Sequence, residues 1–234
     1  MMSAPHDVVF LLDVDNTLLD NDRFLADLKT RLTESFDDAM CARYFSILES
    51  LRLQIGYVDY LGALQCFRLD GINDPRMLSM SAFLLDYPFE TLRYPSALAV
   101  IAHLQRWGPT VIVSDGDAVF QPRKIARAGF WDAVEGRVRI YVHKELMLDA
   151  IEKDFPARRY VMVDDKLRLL SIMKGVWGDR LTTVFPRQGH YALDAEALAR
   201  YDPPDITIER IGDLLAEDFS APASSTGPVA ARSR

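Results

Sequence analysis

Two carboxylates two positions apart, Asp13 and Asp15, follow directly on the apolar run Val8-Val9-Phe10-Leu11-Leu12. The run is rich in β-branched and large side chains and reads as a buried strand. Its end sets both acids close enough to share one metal ion or one substrate. Two carboxylates in a half-buried position repel, so something cationic belongs between them. Mg²⁺ suits that place, because it takes one or two carboxylates together with phosphate and water. Three further apolar runs each deliver a polar side chain where a strand should stop. Residues 110–113 end at Ser114, residues 139–142 lead into His143 and Lys144, and residues 160–163 end at Asp164 and Asp165. In parallel α/β sheets, ligands bind beyond the carboxyl ends of the strands, where the strand order reverses.

Taken in this order, the chain resembles the haloacid dehalogenase (HAD) superfamily of hydrolases. Asp13-Val14-Asp15-Asn16-Thr17 stands as its DxDxT motif, Ser114 as its strand-end hydroxyl, Lys144 as its lone lysine, and Asp164-Asp165 as its acidic pair. The match spans roughly residues 8–186, and the first motif is the most specific of the four.

What the resemblance implies is a phosphatase-type chemistry. Asp13 becomes the nucleophile, since an aspartate can attack phosphorus, form an acyl-phosphate and split one hard displacement into two easier ones. Asp15 would protonate the leaving oxygen and then activate water, a role that contributes roughly 10²–10⁴-fold. In the resembling family this second Asp marks phosphatases and phosphotransferases, and dehalogenases lack it. Ser114 would hydrogen-bond a phosphoryl oxygen, helped by backbone N–H groups of the following loop and helix N-terminus. Lys144 would neutralise the nucleophile and the charge that develops on phosphorus, with Lys124 and Lys166 as competitors for that role. Asp13, Asp15, Asp164 and Asp165 would hold Mg²⁺, with Asp164 favoured as a direct ligand because it ends its strand. A calcium loop also begins Asp-x-Asp-x-Thr, but it needs Gly at its sixth position and Glu at its twelfth. Here those are Leu18 and Phe24, and a strand precedes the loop.

Between the first and second strands the period changes from strand to helix. Phe24, Leu25, Leu28, Leu32 and Phe36 recur at helical spacing, with Asp22 able to start that helix. Met40 to Leu51 continues a second helix up to Gly56, Tyr60 to Leu69 a third closed by Asp70-Gly71, and Asp74-Pro75 opens a fourth. Residues 21–92 are therefore expected as an all-helical insert, which the resemblance makes a cap that closes over the active site. Arg43, Arg52, Tyr57 and Arg68 are its candidates for substrate contact, because Arg and Tyr suit anionic or sugar-like groups.

After Tyr94-Pro95, strands alternate with helices. Ser96 caps the first helix, and others are expected over about 118–129, 144–154 and from Asp164 to about 174. A fifth strand falls at 181–185, and a last strand and helix at 206–208 and 211–215. This alternation predicts an α/β fold, a doubly wound parallel sheet built from residues 1–20 and 93–219. From Ser220 to Arg234, Ser, Ala, Pro and Gly without periodicity read as a disordered tail.

A hydrophobic share of 49% and a charged share of 26% are those of a globular chain with a sizeable core. Lys and Arg number 27 against 34 Asp and Glu, a net charge of −7 that argues against a nucleic-acid binder. No stretch approaches a membrane span or a signal segment, and Cys41 and Cys66 lack metal spacing, so a cytoplasmic protein with reduced thiols is expected. The histidines His6, His103, His143 and His190 form no zinc pattern and are expected in loops or at the surface. The expected substrate is a small phosphorylated metabolite. Phosphotransfer within a substrate, or an idle phosphometabolite- or partner-binding protein, are the alternatives; the oligomeric state is open.

Overall fold

The computed structural model describes residues 4–68 and 74–219. The Asp70-Gly71 helix stop and the tail 220–234 lie outside them. Six parallel strands form one sheet: β1 His6–Leu12, β2 Thr110–Asp115, β3 Val138–Tyr141, β4 Ala157–Val163, β5 Leu181–Pro186 and β6 Ile206–Ile208, in the order β3-β2-β1-β4-β5-β6. Parallel strands must be covered on both faces. Val8, Phe10 and Leu12 of β1 accordingly enter one apolar cluster, and Val9 and Leu11 enter the other. The order reverses between β1 and β4. Their register pairs Leu12 with Val163, so Asp13 and Asp164 leave the sheet side by side.

Four helices follow β1 and build the insert: α1 Asn21–Ser35, α2 Asp38–Ile55, α3 Tyr60–Phe67 and α4 Pro75–Asp86. Asp20, Asp37, Asp59 and Asp74 each accept a backbone N–H at the start of the helix that follows. Helix α1 is thus opened by Asp20 and not by Asp22, whose carboxylate turns instead to Asn16 and His190. The chain enters and leaves the insert at one place: Asp20 N–H bonds Leu92 O, and Tyr94 N–H bonds Leu18 O. Insert and sheet share a single apolar cluster. At its centre the Phe24 ring meets Tyr60, Tyr87, Phe89 and Phe120 at 5.0–5.8 Å.

The remaining helices are α5 Ala97–Leu104, α6 Phe120–Arg127, α7 Phe130–Ala133, α8 Leu148–Asp154, α9 Leu167–Trp177 and α10 Ala195–Arg200. Several boundaries differ from expectation. Ser96 adopts φ 69° and its side chain makes no cap bond; only its carbonyl engages α5. Residues 144–146 form a separate 3₁₀ turn, so α8 begins at Leu148. Residues 211–216 are likewise 3₁₀ and not α-helical. Cys41 is buried and Cys66 exposed, both as free thiols. Among the described residues no helix is long and apolar enough to cross a membrane.

Candidate active site

The sheet brings Asp13, Asp15, Ser114, Lys144, Asp164 and Asp165 to its carboxyl edge. Asp13, Ser114, Lys144, Asp164 and Asp165 are all buried. The Lys144 ammonium lies 2.5 Å from Asp13 Oδ1 and 2.6 Å from Asp164 Oδ2, and also donates to Val113 O at 3.3 Å. Burial works against that ammonium, but the two carboxylates outweigh it and hold its pKa above the ordinary lysine range. Of the three lysines weighed, Lys144 is thus the one in direct contact with Asp13. Its backbone N–H is fixed by Asp115 Oδ1 at 2.8 Å, so the 3₁₀ turn that carries it is tied to the end of β2.

Asp13 Oδ2 and both oxygens of Asp165 are buried without a hydrogen-bond partner. Asp13, Asp164 and Asp165 can present oxygens within 4.8 Å of one another. Burial pushes the Asp13 carboxyl up to about 6 against the pull of Lys144, and burial together with Asp164 and Asp13 pushes Asp165 well above the usual carboxylate range. Asp164 Oδ1 accepts the Lys166 N–H at 2.8 Å, and its Oδ2, buried without a hydrogen bond, lies 2.6 Å from the Lys144 ammonium as an ion pair. All-oxygen donors with unspent negative charge fit a hard divalent cation such as Mg²⁺. Asp13 Oδ2 and both Asp165 oxygens make no hydrogen bond, and Asp164 Oδ2, which makes none either, is ion-paired with Lys144.

Asp15 does not aim its side chain into this acidic group. Lys124 of α6 binds its Oδ1 and Oδ2 at 2.7 and 2.9 Å, and Gln121, also of α6, donates to Oδ2 at 3.3 Å. The same Gln121 amide donates to Ser114 Oγ at 3.0 Å, joining two expected site residues. Gly116 makes room for it, because a Cβ there would stand 2.8 Å from Gln121 Cβ. The start of α6 contributes less than expected. Asp117 takes the N–H groups of Val119 and Phe120, and Gly116 N–H bonds Tyr141 O. Reading the sequence alone missed Gln121 altogether and weighed Lys124 for a different role. The usable signal was an i, i+3 polar pair on the inward face of the helix after Ser114.

A cleft of about 1690 Å³ opens from Asp15 between the sheet edge and the insert. Arg52 and Tyr57 line it, as do His143, Lys166, His190 and Tyr191. Arg52 is paired with Glu49 at 2.7 Å. Arg43 packs instead over the Phe67 ring at 5.6 Å, and neither it nor Arg68 lines the cleft. Lys166 stands over the Tyr191 ring at 5.2 Å and lends positive potential to Asp13. His143 and His190 are loop residues, as expected, but both face the cleft. His190 also binds Asp22 at 2.6 Å, fastening the loop after β5 to the start of α1.

Among solved structures, the chain is 61% identical to a haloacid dehalogenase-like hydrolase from Burkholderia xenovorans LB400, over 92% of this chain and 97% of that one, with a TM-score of 0.85. It also superposes on L-2-haloacid dehalogenase from Xanthobacter autotrophicus, at 16% identity over 89% and 96% of the two chains and a TM-score of 0.58. The magnesium-bound HAD-hydrolase YfnB of Bacillus subtilis gives 16% identity over 90% and 98%, with a TM-score of 0.59. At 16% identity the likeness is one of fold alone. No protein-family model matches the sequence, and no curated protein matches it.

Proposed function

The chain belongs to the haloacid dehalogenase-like hydrolases, and from that membership we propose that it is a Mg²⁺-dependent phosphatase acting on a small phosphate monoester. One observation carries the reading: Asp13 Oδ2 and both Asp165 oxygens are buried, close together and without partners. Displacing a halide from carbon brings no dianion into the site and so gives no reason for a cation among these oxygens. Displacement at a phosphate dianion brings a cation into the site, and these oxygens suit it. When bound, Mg²⁺ would offset phosphate charge and polarise the phosphoryl group.

The side chains then divide the work. Asp13 attacks phosphorus, and Lys144 keeps its Oδ1 in place while opposing the charge that accumulates on the equatorial oxygens. Ser114 Oγ accepts from Gln121 and so directs its own O–H elsewhere, toward a phosphoryl oxygen. Asp15 gives a proton to the leaving oxygen as the P–O bond breaks, and later takes one from the water that hydrolyses the aspartyl-phosphate. Asp13 and Asp165 would hold the metal through their side chains, Asp15 would offer its backbone carbonyl, and Asp164 orients Lys144. The insert acts as a cap over the cleft, and the reaction takes place in the cytoplasm.

The deciding experiment sets two substrates side by side. Phosphate release from p-nitrophenyl phosphate with Mg²⁺, abolished by EDTA and by Asp13→Asn, is the expected result. Halide release from 2-chloropropionate without phosphate release would replace this reading with dehalogenation. A screen of phosphorylated metabolites would then name the substrate.

A further inference from the structure

Lys124 is fully buried, although it lies on a helix that carries none of the family motifs. Its ammonium is within 5.6–6.0 Å of the Phe24, Phe89 and Phe120 ring centres. A cation is costly in such a place unless it is paired, and its one carboxylate among the described residues is Asp15. It also donates to Asn21 Oδ1 at 3.1 Å, at the first residue of α1. Asn21, Phe24 and Phe89 belong to the two segments through which the chain enters and leaves the helical insert.

A carboxylate offers about four lone-pair directions. Lys124 takes one on each Asp15 oxygen, and Gln121 takes a second on Oδ2. What remains is one direction, on Oδ1. Resting on the phosphatase reading, we propose that Lys124 is a positioning residue that aims Asp15 Oδ1 as the proton-transferring atom. The Asn21 contact makes that aim depend on how α1 is seated. The family motifs account for Asp15, but nothing in them requires a buried lysine behind it. Lys124 touches neither substrate nor metal in this scheme; it acts through Asp15 alone.

The test is a double-mutant cycle on the full-length protein with Mg²⁺ and p-nitrophenyl phosphate, using Lys124→Met, Asp15→Asn and the two combined. Lys124→Met should lower kcat by at least about tenfold and leave KM within about threefold, because the lost function is proton transfer and not binding. In the Asp15→Asn background the same substitution should cost less than about threefold more, since the partner it aims is already disabled. A purely structural lysine would instead multiply the two losses. Lys124→Gln provides the same comparison if the methionine variant does not fold. A folded Lys124 variant with kcat within threefold of wild type, or losses that multiply, would overturn the positioning role while leaving the phosphatase reading intact. Absence of phosphate release from every ester by the wild-type protein would overturn that reading, and this inference with it.

Discussion

Asp165→Asn should raise the Mg²⁺ concentration for half-maximal activity by at least about tenfold, whereas Asp164→Asn should act mainly on kcat. The two residues are adjacent but differently engaged. Both Asp165 oxygens lack a hydrogen bond, whereas Asp164 gives Oδ1 to the Lys166 N–H and holds Lys144 through an ion pair on Oδ2. Mg²⁺ titrations of both variants check the division; equal shifts would contradict it. Protons compete with the metal at the same oxygens. Since the Asp13 carboxyl sits at about 6 and Asp165 is raised too, Mg²⁺ binding should weaken as the pH falls through about 6 and be accompanied by proton release. Calorimetry in buffers of different ionisation enthalpy reads both effects, and tighter binding at pH 5 than at pH 7 would refute them. The motif residues were legible in the sequence because each lies within three residues of the end of an apolar run. Their pairings were not. Which of two neighbouring aspartates faces Lys144 depends on a strand register and a 3₁₀ turn that no periodicity encodes.

Helix α6 fastens the insert from below. Besides Lys124 and Gln121, it sends Arg123 to Leu85 O and Asp86, and Arg127 to the carbonyls of Asp86 and Tyr87. Leu85 O and Asp86 O are the last carbonyls of α4, where a cation is favoured, and Tyr87 O just beyond them also accepts the Phe89 N–H. Arg127→Ala should therefore loosen residues 85–92, seen as faster amide exchange there than in β1, and raise KM more than it lowers kcat. On the opposite side, Gly189 has φ 70°, and a Cβ on it would stand 2.4 Å from Asn16 Cβ. Asn16 Oδ1 in turn accepts the N–H groups of Asn21 and Asp22 at the start of α1. Gly189→Ala should destabilise the fold by about 1–3 kcal/mol in urea denaturation. The helices and strands themselves were readable from the 3.6- and 2-residue periods. The 3₁₀ turn at 144–146 was not, since three residues cannot display a period, and the helix at 211–215 was readable only as a helix, since six residues barely separate a 3-residue repeat from a 3.6-residue one.

At the scale of the whole molecule, one cleft is enclosed by the sheet edge, the insert and the loop after β5. Ca²⁺ should inhibit, because it takes more ligands at longer distances and would draw both oxygens of Asp13, occupying the nucleophile. Full turnover with Ca²⁺ in place of Mg²⁺ would contradict that. The insert also leaves and rejoins the chain at a single point, clasped by the bonds from Asp20 to Leu92 and from Tyr94 to Leu18. A segment with coincident ends can be lengthened, shortened or exchanged without moving any strand by one residue. The sheet that assembles the acids and Lys144 is thereby insulated from changes in whatever recognises the rest of the substrate. In this architecture the insert can change length while the strand register holds, like interchangeable heads on one engine block, and the seam where Lys124 ties Asp15 to Asn21 is the place that any new insert must still fit.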